Sequence, residues 1–187
     1  MADAVLLLAG GAGSRLPGKL ERMVNGKPLM LHAFENLHNN GWPMYVAAAR
    51  PLSAPIAEAL DATPIYDAAP RGPLWALLDA SAQIDAQRIF AIAADQPNIE
   101  AAALQRLVAA WRPGDEAVVP QHAGGVEPLA ALYERTALRR AARTLSAEHR
   151  AMRDLLTVLR VRYETMEQHY FTNINTPDDL QRVTLTT

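Results

Sequence analysis

The stretch from Val5 to Leu20, VLLLAGGAGSRLPGKL, constrains this chain more than any other. Val5, Leu6, Leu7 and Leu8 make a continuous apolar run of strand length, the pattern of a strand buried on both faces. Gly10, Gly11, Gly13 and Gly18 follow directly, with Arg15 and Lys19 among them. Glycine carries no Cβ, so successive backbone N–H groups can turn toward one point, and such a concavity binds anions. A guanidinium and an ammonium in the same loop add positive charge suited to phosphate oxygens. A buried strand feeding a basic glycine loop is most simply a phosphate site.

Spacing separates the known phosphate loops. The dinucleotide fingerprint G-x-G-x-x-G can start at Gly11 and Gly13, but its third glycine is Leu16. The P-loop pattern places Gly13, Gly18 and Lys19 correctly. There, however, Leu20 replaces the hydroxyl that holds Mg²⁺, and Pro17 removes a backbone donor from the cradle.

The remainder of the chain reads as alternating strands and helices. Leu29, His32, Ala33, Phe34 and Leu37 recur at helical spacing, with Pro28 suited to the helix start and Asn39-Asn40-Gly41 ending it. Strands are expected at Met44 to Ala49, at Pro64 to Tyr66 ending on Asp67, at Arg88 to Ala94, and at Ala117 to Pro120. The helices between them start near Ser53, Pro73 and Ile99; Leu104, Leu107, Val108 and Trp111 line one face of the last. This alternation predicts a mostly parallel sheet covered by helices on both faces, an α/β protein in three layers. Beyond about residue 120 the pattern loosens into a strand at 128–133, helices at 136–146 and 150–157, a strand at 158–165, and a last helix opened by Pro177.

At 187 residues one domain is expected, with a nucleotide-binding half over about 1–120 and an acceptor-binding half over about 121–187. A formal charge of −2 offers no basic field to a nucleic-acid backbone. The absence of cysteine removes disulfides, thiolate metal sites and cysteine nucleophiles, and suits a reducing cytoplasm. Neither a leader peptide nor a membrane span is expected.

In an open parallel sheet, ligands sit beyond the carboxyl ends of the strands. Asp95 follows the apolar run IFAIAA and is held by Gln96-Pro97, so it is costly to leave half-buried without a partner. Ionised at neutral pH, it suits Mg²⁺, which prefers oxygen ligands and substrate phosphates. The alternative is a cap for the helix beginning near Ile99. Near the C-terminus, period-two alternation sets Asn173 and Asn175 on one side of a strand, offering donors and acceptors to phosphate oxygens or a hydrated metal. Thr176 to Asp179 reads as the start of a helix.

LAGG at 8–11, GPL at 72–74, the D-x-P pattern at Asp95, EPLAALY at 127–133 and FTNINTPDDL at 171–180 together resemble the molybdenum-cofactor guanylyltransferases, a branch of the nucleotidyltransferases. The resemblance implies a Rossmann-like nucleotidyltransferase fold and transfer of GMP from Mg·GTP to the terminal phosphate of molybdopterin, with release of pyrophosphate. Carried onto this chain, it implies that Gly10, Gly11, Arg15 and Lys19 hold the triphosphate, with Leu8, Ala9 and Gly72 also binding the nucleotide. Asp67 would then meet the guanine edge, Asp95 the Mg²⁺, and Asn173, Asn175 and Glu127 the acceptor. Arg15, Lys19 and Asp95 would be the catalytic groups. Proteins that deliver or receive the cofactor are further candidate partners.

The chain departs from that family at several points. Lys19 follows Arg15 sooner than usual, and PGK in this form also resembles cytidylyltransferases that activate acidic sugars. Ala47-Ala48-Ala49 stands where the guanylyl branch has a base-reading asparagine, and Glu127 stands where the family has histidine before proline. CTP-dependent transfer to molybdopterin or a sugar acceptor is therefore a second reading, and a non-catalytic nucleotide-binding adaptor of the same fold a third. The five histidines (32, 38, 122, 149 and 169) show no metal-ligand spacing and are expected on the surface or in packing. Arg139, Arg140, Arg143, Arg150 and Arg153 form either a solvated face or a dock for an anionic acceptor.

Overall fold

The computed structural model describes residues 3–9, 18–66, 71–174 and 179. Among these residues, ten strands and six α-helices follow in order: β1 (Asp3–Leu8), β2 (Met23–Val24), β3 (Lys27–Pro28), α1 (Leu29–His38), β4 (Met44–Ala48), α2 (Ala54–Ala59), β5 (Thr63–Tyr66) and α3 (Pro73–Ser81). The chain continues through β6 (Arg88–Ala93), α4 (Ala101–Ala110), β7 (Ala117–His122), β8 (Gly125–Val126), β9 (Ala130–Glu134), α5 (Arg135–Thr144), α6 (Met152–Leu156) and β10 (Val161–Thr165). The central sheet runs β10-β7-β9-β6-β1-β4-β5, with β8 hairpinned onto β7. All its long neighbours are parallel except β9, which is antiparallel to both β6 and β7.

The expected three-layer α/β architecture is present. β1 shows how one apolar run serves two cores. Leu6 and Leu8 pack with Leu74, Leu77, Leu138 and Leu155 of α3, α5 and α6. Val5 and Leu7 face the other way, into Phe34, Leu37, Ile56, Leu104 and Leu107 of α1, α2 and α4. Successive side chains on a strand point to opposite faces, so a strand covered on both sides must be apolar throughout.

Local expectations fared unevenly. The turn near Pro28 is a small ribbon of β2 and β3, bent through Asn25 (φ 48°) and Gly26 (φ 79°). The two left-handed residues suit the tight turn of an Asn-Gly hairpin. Ser53 precedes α2, but it is its carbonyl oxygen that meets the N–H groups of Ile56 and Ala57, and its hydroxyl caps nothing. Asp95 does not cap the following helix, since α4 begins only at Ala101. The last helix falls outside the described residues apart from Asp179. Among the described residues, no helix is long and apolar enough to cross a membrane.

One buried ion pair, and one buried carboxylate held by two exposed arginines, stand away from the strand tips. Asp3 and Arg88 are register partners on β1 and β6, joined by two hydrogen bonds of 2.7 Å, with both side chains 6% exposed. Glu116 is buried before β7, where it accepts from the Arg140 guanidinium at 2.8 Å, the Arg160 N–H at 2.9 Å and the Arg160 guanidinium at 2.9 Å. Arg140, one of the run of late arginines, is thus engaged in structure, while Arg139, Arg143, Arg150 and Arg153 are exposed. The hydrogen bond from Arg140 is the main cause that holds the Glu116 carboxyl below its ordinary value, against desolvation by burial.

Removing one member of a buried pair leaves a bare charge. Arg88→Met is therefore expected to cost about 3–5 kcal/mol in urea unfolding, and adding Asp3→Leu to recover most of that loss. Glu116 has a depressed folded pKa, so its contribution is present above the unfolded carboxyl range and lost as pH falls through the folded value. The stability gap between wild type and Glu116→Gln is expected to be largest near neutral pH and to close in acid, measured by urea unfolding across a pH series.

Candidate functional site

The carboxyl ends of β1 and β6 lie side by side, with Leu8 in register with Ala93. The sheet continues one step past them: Ala9 N–H reaches the Ala47 carbonyl at 2.8 Å, and Ala94 N–H the Leu8 carbonyl at 3.2 Å. Asp95 is the first residue after this pairing ends. Its side chain is 18% exposed and forms an ion pair through Oδ2 with the Lys19 ammonium, itself 20% exposed. Lys19 opens a single tight helical turn, Lys19–Glu21, entered through Gly18 at φ 66°. That left-handed conformation favours glycine.

Three further contacts hold the Asp95 loop. Ile174 N–H donates to the Asp95 carbonyl at 3.1 Å, tying the C-terminal segment to it. Asn36 Nδ2, on α1, donates to the Pro97 carbonyl at 2.8 Å. Asn98 Nδ2 donates to the His169 carbonyl at 3.4 Å. Ile174 is fully buried in a small cluster with Val24 of β2 and Leu29 of α1. The ribbon that follows Lys19 and the tail are therefore packed on each other next to Asp95.

Glu127 approaches from the other side. Because β9 is antiparallel, its first residue, Ala130, lies opposite Ile92 near the carboxyl end of β6. Ala93 N–H donates to the Leu129 carbonyl at 2.9 Å, so the 127–129 segment abuts the strand that ends at Asp95. Glu127 Oε1 is 2.9 Å from His122 Nε2, and the His122 ring stacks on Phe171 with centroids 5.7 Å apart and planes 10° from parallel. Phe171 belongs to the turn just before Asn173 and Ile174.

Gly72 initiates α3 at φ 103°, another left-handed-side conformation, and a Cβ there would lie 3.9 Å from the Arg150 carbonyl. The loop carrying Arg150 is fastened to α3 by Trp75 Nε1, which donates to the His149 carbonyl at 2.8 Å. Asn173 is half-buried, its Nδ2 at 3.5 Å from the Phe171 carbonyl.

Of the residues singled out in the sequence, Leu8, Ala9, Lys19, Asp95, Glu127 and Asn173 are thus brought to neighbouring strand ends, and Gly72 starts the helix that follows β5. Gly10, Gly11, Arg15, Asp67 and Asn175 lie outside the described residues. Sequence reasoning missed Asn36, for which no local signal exists. His122, expected at the surface or in packing, is packed against Phe171 and also bonded to Glu127. There the His-x-Gly-Gly-x-Glu spacing is a usable signal, since a tight turn over the two glycines folds residue 127 back toward 122.

The donor chemistry at Asp95 suits a magnesium ion. A single hard carboxylate at the mouth of a sheet, with substrate phosphates and water supplying the remaining oxygens, is the usual way proteins hold Mg²⁺. The ammonium of Lys19 balances the same carboxylate and is a compact charge that phosphate oxygens also attract.

Comparison with known proteins places this arrangement in context. A family model described as the MobA-like NTP transferase domain matches residues 5–166. A probable molybdenum cofactor guanylyltransferase from Synechococcus elongatus is 30% identical, over 97% of this chain and 98% of its own length. A protein of the same description from Opitutus terrae is 39% identical over 62% of this chain, which spans 60% of that relative. Among solved structures, molybdopterin-guanine dinucleotide biosynthesis protein A from Archaeoglobus fulgidus superposes with a TM-score of 0.80 at 27% identity, covering 96% of this chain and 95% of that one. A family model over most of the chain and a relative aligned along nearly its full length agree, so the chain belongs to the MobA-like NTP transferase family and is a nucleotidyltransferase.

Proposed function

We propose that this enzyme transfers GMP from Mg·GTP to the terminal phosphate of molybdopterin and releases pyrophosphate. The observation that carries the reading is the meeting at Asp95: Lys19 on its carboxylate, and the tail through Ile174 on its carbonyl. Three segments far apart in sequence thereby converge where an α/β sheet binds nucleotides. The names of relatives aligned over nearly the whole chain point to the same reaction.

In this reading the backbone of Leu8 to Gly11, with Arg15 and Lys19, cradles the triphosphate. Asp67 and Gly72 serve the guanine side, beyond β5. Asn173, Asn175 and Glu127 serve the acceptor side. Asp95 is the residue that would hold Mg²⁺, which when bound neutralises phosphate charge. The acceptor phosphate attacks the α-phosphorus in line, a P–O bond forms, and the bond to the β-phosphate oxygen breaks as pyrophosphate leaves. A phosphate dianion needs no general base, so the protein's share of catalysis is positioning and charge stabilisation. Lys19 changes partners in this scheme, from the carboxylate of Asp95 to the phosphates as the nucleotide enters. A cytoplasmic location, in keeping with a chain without cysteine, belongs to the same proposal.

CTP in place of GTP is the second reading, favoured by Ala47-Ala48-Ala49 where the guanylyl branch has its asparagine. Pyrophosphate release measured with GTP, CTP and ATP in the presence of molybdopterin separates the two. GTP is expected to lead by at least about tenfold, the value of one lost hydrogen bond to a charged partner. Equal or greater turnover with CTP would replace the guanylyl assignment. Asp95→Ala and Lys19→Ala are each expected to lower kcat by about 100-fold or more in the same assay. Wild-type turnover in either variant would remove its role.

A further inference from the structure

The contact between His122 and Glu127 is built with more care than a surface ion pair requires. His122 Nδ1 accepts the Gly124 N–H at 2.9 Å. A ring nitrogen that accepts carries no proton, so the ring proton lies on Nε2 and is donated to Glu127 Oε1. The tautomer is therefore set by the backbone of the β7–β8 turn. Gly124 is what allows the approach: a Cβ there would lie 2.9 Å from His122 Cε1 and 3.1 Å from Nδ1. One face of the ring is covered by Phe171, and the His122 side chain is only 6% exposed.

Glu127 is fixed as firmly along its backbone. Its N–H donates to the Pro120 carbonyl at 2.9 Å, and its carbonyl accepts from Ala130 N–H at 3.1 Å. The next residue, Pro128, has its carbonyl taken by the Tyr133 hydroxyl at 2.7 Å. Burial pushes the Tyr133 phenol far up, so it remains a donor at any physiological pH. The result is a carboxylate of fixed orientation, 22% exposed, on the opposite side of the β6 end from Lys19.

A carboxylate offers about four acceptor positions, and His122 uses one. What remains matches two parallel N–H donors, the geometry of a bidentate contact. Resting on the acceptor reading above, we infer that Glu127, oriented by His122, reads the two-donor edge of the acceptor's 2-amino-4-oxopyrimidine ring, its ring N–H and exocyclic amine. Glu127 is then a specificity-determining group and His122 a positioning residue. The pair selects a pterin-bearing phosphate over a sugar phosphate, which has no such planar donor pair.

Pterin and lumazine test this directly, because lumazine carries a carbonyl in place of the 2-amino group. Binding of each is followed by fluorescence quenching of the full-length wild type and of the variants Glu127→Gln, His122→Ala and His122→Gln. Wild type is expected to favour pterin by about tenfold or more, since a donor facing a carboxylate is replaced by an acceptor. Glu127→Gln is expected to abolish that preference. His122→Ala should shrink it by several-fold, whereas His122→Gln, which retains a terminal N–H donor, should restore most of it. In steady-state transfer, Glu127→Gln should raise KM for molybdopterin about tenfold with little change in kcat or in KM for GTP. An equal affinity of wild type for pterin and lumazine, or an undiminished preference in Glu127→Gln, overturns the inference. Failure of wild type to transfer GMP to molybdopterin overturns the guanylyl reading instead, and is recorded in a separate assay.

Discussion

A carboxylate cannot sit at the end of a fully buried strand without a counter-charge, and this requirement organises the site. β6 carries six buried residues and delivers Asp95 to the rim of the sheet. There its charge is balanced by Lys19, 76 positions earlier in the chain. Its carbonyl is meanwhile met by the backbone of the C-terminal segment. One residue thus joins Lys19, through its carboxylate, and the C-terminal segment, through its carbonyl. An ion pair left partly open to water is also exchangeable. Both side chains are about one-fifth exposed, so water partly screens the pair.

The sheet sets the spacing of everything else. Neighbouring strands lie about 4.8 Å apart, so moving from β5 through β4, β1, β6 and β9 to β7 covers about 24 Å of strand ends. That is long enough to seat a nucleotide and a second bulky phosphorylated group end to end. β9 matters most in this arrangement. A parallel strand inserted here would have brought its own carboxyl end to the rim and sent the preceding loop to the opposite end of the sheet. Running antiparallel, β9 begins at the rim, and the residues just before it, Glu127 to Leu129, lie beside the end of β6.

Legibility of the site followed the range of the forces involved. The glycine loop, the isolated Asp95 and the tail asparagines declare themselves through residues a few positions apart, because strand burial and backbone conformation are local. From the sequence His122 is only a surface or packing residue. Its contacts depend on a turn that folds it onto Glu127 and on Phe171, which comes from a distant turn to cover the ring. Asn36 had no signal at all, being one polar residue on the exposed side of an amphipathic helix until the Pro97 carbonyl is placed beside it. The arginine run divides in the same way: Arg140 is committed to buried Glu116, and no pattern in α5 distinguishes it from Arg139 beside it.

The sequence by itself determined the alternation of strands and helices and the two-faced burial of the central strands. Hydrophobic periodicity and glycine's freedom act over a turn or a strand and need no distant partner. Only the tertiary structure decided that β9 runs antiparallel between β6 and β7 and that Arg88 answers Asp3 across 85 positions. It alone decided, too, that Lys19, Asp95 and Ile174 meet. Those outcomes depend on which surfaces remain to be buried, and which charges to be paired, once the whole chain has closed on itself.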